Sequence, residues 1–183
     1  MTLSRLISDT RTIHSFVPGE GPTEAELEAC LKLSLLAPNH KKTFPWKIIR
    51  ASDQLRESLA DVSADQKIQT GATQAEAQAA RSKSLAAKEL IIFVLKKLPN
   101  DAFREREDYA TLCCSIQLLA LSLREKGYGY KWSTGKITRG PEVATLLSLG
   151  EQEEVVGFIW AGREAKAPVS GKRPQLAEIL EVI

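Results

Sequence analysis

Few residues in this chain are suited to holding a metal or attacking a carbonyl. It has two histidines, His14 and His40, three cysteines and no CxxC pair. Neither histidine has a local serine or cysteine partner at a recognisable spacing, and no GxSxG elbow occurs, so hydrolytic and metal chemistry are poorly supported. Cys113 and Cys114 are adjacent in a helical pattern, where neighbouring side chains diverge. An odd cysteine total also argues against a disulfide framework, which points to a reducing compartment and the cytoplasm. No run of about 18 apolar residues exists, and "MTLSRLISDTRTIHSF" lacks the apolar centre of a signal peptide, so no membrane segment is expected. The net charge of +2 gives no case for nucleic acid. Phosphate loops fail as well: "GYGYKWSTGK" puts five residues between Gly129 and Gly135 where a Walker A loop has four, and Ile137 replaces its hydroxyl residue. No GxGxxG enters a helix.

What is present suits one globular domain spanning 1–183, with 43% hydrophobic and 26% charged residues. Residues 3–10 read as a short helix. A second follows Thr23, whose side chain and Glu26 form a capping-box signature, and it ends at Pro38. "WKIIRA" is strand-like, and 53–62 again looks helical. From 64 to 89 the chain is rich in Ala, Gln, Lys and Ser and poor in large apolar residues, which predicts a solvated or mobile excursion with helix near its end as the open alternative. "LIIFVLK" (90–96) and "VVGFIWAG" (155–162) are continuous apolar runs of buried-strand length. Between them, 103–126 carries Leu112, Ile116, Leu119 and Leu123 at helical spacing and stops at Gly127. "YGYKWSTG" reads as a strand and loop, and Pro141 opens a short helix. The predicted class is α+β, a modest sheet covered by helices with the long helix central.

Several segments gather polar donors. Arg11, between Thr10 and Thr12 with His14 close behind, makes a workable anion site, because a guanidinium fork matches phosphate oxygens; an ordinary polar turn is the plainer alternative. Lys172 and Arg173 in the tail read either as a solvated pair or as a second arm on an anion. Trp132, Ser133 and Thr134, taken alone, read as a core tryptophan followed by a polar turn. "PNHKKTFPW" (38–46) holds an amide, a histidine and two lysines between two prolines, whose fixed backbone angles stiffen the loop.

The order of these motifs resembles the flavin-dependent nitroreductase family, particularly its short members. The basic-hydroxyl cluster near residue 11 comes first, then the Ala-Pro loop ending in Pro-Trp. The long apolar helix leads into "GYGYKWSTG", and a short helix, "VVGFIWAG" and the basic "KRP" tail follow. The resemblance covers nearly the whole chain and is weakest over 53–108. It implies a nitroreductase-like fold with a central, mostly antiparallel sheet flanked by helices, usually assembled as a homodimer with FMN at the subunit interface.

By that resemblance Thr10, Arg11 and Thr12 grip the FMN phosphate and ribityl chain, and His14 lies near the pyrimidine edge. Pro38, Asn39, His40 and Lys42 reach the flavin of the other subunit, while Trp132, Ser133 and Thr134 lie along it. Lys172 and Arg173 return to the phosphate. In the loop the family's serine, asparagine and glutamine are replaced by Asn39, Lys42 and Phe44. The implied activity is NAD(P)H-dependent reduction of nitroaromatics, quinones or similar small acceptors, by hydride transfer through flavin N5. No catalytic side chain is required, and His14 or Lys42 supplies charge to the reduced ring. Other reactions on the same fold (enal reduction, flavin fragmentation, dehalogenation) and a non-enzymatic flavin-binding or sensor role remain as alternatives.

Overall fold

The computed structural model describes residues 2–168 and 171–183. Its centre is a four-stranded antiparallel sheet of β1 (Trp46–Arg50), β2 (Glu89–Lys96), β3 (Gly129–Ser133) and β4 (Glu153–Gly162), in the order β1-β2-β4-β3. Every neighbouring pair is antiparallel, with Ile92 opposite Phe158 and Trp132 opposite Ile159. β2 and β4 are the inner strands, which explains their uninterrupted apolar runs: side chains on both faces are buried.

The two faces meet different helices. α2 (Glu24–Ser34) and the long α5 (Ala102–Glu125) cover one face. There Leu27, Cys30, Leu112, Ile116, Leu119 and Leu123 close over Ile91, Phe93 and Ile159. α3 (Asp53–Gln69) and α6 (Pro141–Leu146) cover the other, packing Leu59, Val143 and Leu147 on Leu90, Ile92, Val94 and Phe158. α1 (Leu3–Asp9) precedes the sheet and buries none of its residues.

The segment 64–89, expected as a solvated or mobile excursion with helix at most near its end, is helical over most of its length. α3 continues to Gln69, and α4 (Gln74–Ala86) returns antiparallel to the sheet. Ala, Gln, Lys and Glu are strong helix formers, and Thr73 with Glu76 makes a full capping box. Because α4 buries Ala77 alone, polar clips fasten the hairpin. Arg81 Nε donates to Asp61 Oδ1 at 2.6 Å, and Arg56 donates to the carbonyls of Leu85 and Ala87. Helical sequence without large apolar residues is thus retained by caps and guanidinium clamps rather than by a core.

The other elements follow their sequence signals. Thr23 and Glu26 form the capping box of α2, and Glu26 also accepts from the Tyr128 hydroxyl at 2.9 Å. The Thr23 backbone and side chain, then Tyr128, hold the Glu26 carboxyl below its usual value. Its contribution to stability is therefore present above the ordinary carboxylate range and lost as the pH falls through the lowered folded value. α5 ends at Gly127, which takes φ +83° as a left-handed stop requires.

Close approach fixes one further glycine. The Trp132 indole lies against β4, where a Cβ on Gly157 would stand 2.1 Å from its Nε1. Gly157→Ala must expel the indole, and we expect a loss of about 3 kcal/mol, at the severe end for overpacking. Chemical denaturation checks this, and an unchanged midpoint would mean that Trp132 has room to move.

Candidate functional site

A strap of extended chain sets the site. Ile13 N donates to Tyr130 O at 2.8 Å, Thr12 bridges Tyr130, and Phe16 bridges Glu164. Ala165 N donates to Ser15 O, and Val17 N to Arg163 O. Residues 12–17 are thereby stitched between β3 and the chain leaving β4. Along the strap Ile13 and Phe16 are buried, while Thr12, His14 and Ser15 are exposed. The strap lies close because Gly129 lacks a side chain; a Cβ there would sit 2.6 Å from Ile13 Cγ1.

Two clefts meet at His14. One, of about 480 Å³, has Arg11, Thr12, His14 and Ser15 on one side and Lys166, Gly171 and Arg173 on the other. Arg11 is oriented by donating to the carbonyls of Ser8 (2.6 Å) and Thr10 (2.8 Å). Arg173 comes back to Arg11 a second time beside Thr10, Tyr130 and Gln117. The second cleft, of about 330 Å³, lies between the strap, β3 and the α3–α4 hairpin. Phe16, Ile137 and Trp160 form its apolar walls, and Ser63, Ser84, Ser133, Lys67, Lys83 and Lys131 its polar ones. No carboxylate lines either cleft. Together they offer a guanidinium-rich end suited to a phosphate and an apolar, donor-edged end suited to a flat ring.

The structure brings Arg11, Thr12, His14, Ser133 and Arg173 together and places Thr10 at the edge of that group. Lys172 is exposed beside Arg173 and lines neither cleft, and Thr134 is exposed in the turn after β3. Trp132 lies on the opposite face of the sheet, packed with the α5 core. Lys131 takes its place in the cleft. A strand alternates, so if Ser133 faces the site, Lys131 does too and Trp132 does not; the signal was in "YKWS". Lys67 and Lys83 carry no comparable signal, since the fold alone brings them to His14.

The loop after α2 is elsewhere. Pro38 O accepts from Thr111, and His40 Nδ1 lies 2.9 Å from Glu107 Oε1, both partners being on α5. The loop therefore rests on the α5 face, away from the clefts of its own chain. His40 makes no cap on α2. Asn39 bridges the turn, donating to Thr43 Oγ1 and accepting from Phe44 N, while Thr43 donates to the buried Asp108 at 2.5 Å. Lys41, Lys42 and Phe44 have φ of 62°, 54° and 48°, three non-glycine residues in the left-handed region. Such strain costs about 1–3 kcal/mol per residue and persists where the surroundings over-determine it.

A more spacious cleft, about 710 Å³, lies between Gly19, Arg50, Arg56 and Lys88 and is a poorer candidate. Arg50 is taken by Glu89 and Glu24, and Arg56 by Asp53 and two carbonyls. Its wall includes two carboxylates, Asp53 and Glu89.

YdjA of Escherichia coli (strain K12), named as a candidate NAD(P)H nitroreductase, is 26% identical over 141 residues, 77% of each chain. A nitroreductase-like family protein from Bacillus cereus superposes with a TM-score of 0.86 at 22% identity, covering 100% of this chain and 96% of that one. A candidate nitroreductase from Desulfovibrio desulfuricans, solved in complex with FMN, superposes with a TM-score of 0.76 at 20% identity, covering 100% and 98%. The expected α+β fold is thus the nitroreductase fold. The family model itself matches residues 7–163, from the helix before Arg11 to the end of β4, and the chain belongs to the nitroreductase family.

Proposed function

We propose that this chain is an FMN-dependent NAD(P)H oxidoreductase that reduces a nitroaromatic, quinone or similar small acceptor. The observation that carries the reading is that two clefts adjoin at His14, one lined by Arg11 and Arg173 and the other by apolar walls edged with lysines and serines. The donor set fits the cofactor. Arg11 and Arg173 would hold the phosphate, Thr12 the polyol, and His14, Lys131 and Ser133 the ring. When bound, FMN supplies the two-electron relay between a nicotinamide hydride donor and the acceptor. The chain's own residues bind, orient and supply positive charge beside the ring; no nucleophile is needed.

A homodimer completes the reading, with 1–183 acting as a single FMN-binding domain in each subunit. Leu33, Leu35, Leu36, Phe44 and Phe103 are exposed, as are Leu176, Ile179, Leu180, Val182 and Ile183 in the tail. That much uncovered apolar surface favours a partner. The clefts use neither Pro38, Asn39, His40 nor Lys42 of the same chain, so this loop would reach the FMN of the second subunit. Its rigid, strained backbone suits such a clamp, because little order has to be gained on binding. A cytoplasmic setting belongs to the same reading, with Cys30, Cys113 and Cys114 all unpaired and a nicotinamide as donor. No helix among the described residues is long and apolar enough to cross a membrane.

Purified protein loaded with FMN should oxidise NADH or NADPH when a quinone is supplied. Flavin retention without nicotinamide oxidation would replace the enzyme with a flavin-binding or sensor protein. Arg11→Ala should weaken FMN about tenfold to a hundredfold, as expected for losing a charge-assisted contact, in a fluorescence titration; full affinity would retire the phosphate assignment. His40→Ala should weaken FMN in the dimer while barely moving the melting temperature of the apoprotein. Unchanged flavin affinity would leave His40 as a partner of Glu107 and nothing more.

A further inference from the structure

The cavity beyond His14 contains more positive charge than a flavin ring can use. Lys67 from α3, Lys83 from α4 and Lys131 from β3 converge on it with His14 and three serines. None of the three lysines forms an ion pair among the described residues, whereas twelve other cation–carboxylate pairs do. The acid felt near Lys67 is Glu76, and its carboxylate is engaged with the backbone and hydroxyl of Thr73. Lys131 is half-buried, and both its burial and the nearby Lys83 charge disfavour its ammonium form, pushing its pKa down. Like charges gathered beside an apolar wall repel one another unless an anion joins them.

The phosphate does not meet this demand, since Arg11 and Arg173 occupy the other cleft. The ring brings at most a single negative charge. Resting on the FMN reading above, we propose that the electron acceptor is an aromatic carboxylate, its ring beside the flavin at the mouth of this cavity and its carboxylate held by Lys83 and Lys67, which stand exposed on the hairpin. The reaction is the two-electron reduction ArNO2 + NAD(P)H + H⁺ → ArNO + NAD(P)⁺ + H2O, or the equivalent on a quinone carboxylate. Lys131, deeper on the sheet, serves the flavin edge; the two hairpin lysines select the acceptor. The α3–α4 hairpin is thereby a specificity element.

The test compares 4-nitrobenzoate with methyl 4-nitrobenzoate. They present the same nitro group and differ in charge. The ester is the more electron-poor and the easier to reduce, so intrinsic reactivity favours it. The FMN-loaded enzyme should nevertheless prefer the carboxylate about tenfold or more in kcat/KM at low salt, a charge-assisted difference. That ratio should fall toward one in added salt and in Lys83→Gln, with Lys67→Gln as an independent second variant. Binding of each compound to the oxidised FMN-loaded protein, without nicotinamide, gives the same comparison free of turnover, read as quenching of tryptophan fluorescence.

Equal affinity for the two compounds in a protein that holds FMN would overturn the acceptor proposal and leave the flavin reading standing. A Lys83→Gln variant that loses NADPH affinity but keeps its carboxylate preference would overturn it too, by giving the lysines to the donor. Failure to take up FMN at all would overturn both.

Discussion

The contact between Ile13 and the bare Cα of Gly129 is the constraint on which the site depends. With no side chain at Gly129, the strap of residues 12–17 can lie against β3 closely enough for Ile13 N to reach Tyr130 O. Once that pairing is made, Ile13 and Phe16 enter one core cluster, and His14 and Ser15 between them stay exposed. Arg11 is delivered to one end of the strap and His14 to its middle. The phosphate-suited cleft and the ring-suited cleft are therefore two ends of one hydrogen-bonded strap. A side chain at Gly129 would displace both together.

The sheet then divides labour between its faces. The α2–α5 face is a closed apolar core, and Trp132 belongs to it. The opposite face is sealed by α3 and α6 beneath β1 and β2, but near β3 and Trp160 it is covered by a hairpin with almost no apolar side chains to contribute. A cavity survives where coverage is polar. Its charge is one-sided because no carboxylate lines it; two of the hairpin's acids are held elsewhere, Asp61 by Arg81 and Glu76 by Thr73. On the far face the loop after α2 is held by Asn39, Thr43 and Asp108 in a conformation with three left-handed residues, a local cost that a second subunit's cofactor would explain.

How much of this could be read from the sequence depended on whether the signal was local. The inner strands were legible because they are buried on both faces, and α5 because its apolar positions keep helical spacing over most of its length. The capping box at Thr23 opens an apolar-periodic stretch and reads as a helix start, whereas the same signature at Thr73 and Glu76 sits in a composition that reads as solvated. The order of motifs identified Arg11, His14, Ser133 and Arg173, which the fold brings to adjoining clefts. Attention to the Trp132–Thr134 triplet obscured the strand alternation that turns Lys131, not Trp132, to the same face as Ser133. Lys67 and Lys83 lie on successive helices of a hairpin and converge through tertiary packing, which no spacing rule anticipates.

The most direct test is a crystal structure of the protein grown with FMN. The account places the phosphate between Arg11 and Arg173 and the ring beside His14, Lys131 and Ser133, with the loop from Pro38 to Lys42 of a second subunit closing over it. Flavin density in the cleft of Arg50, Arg56 and Lys88, or a ring contacted by Trp132 on the α5 face, would contradict it.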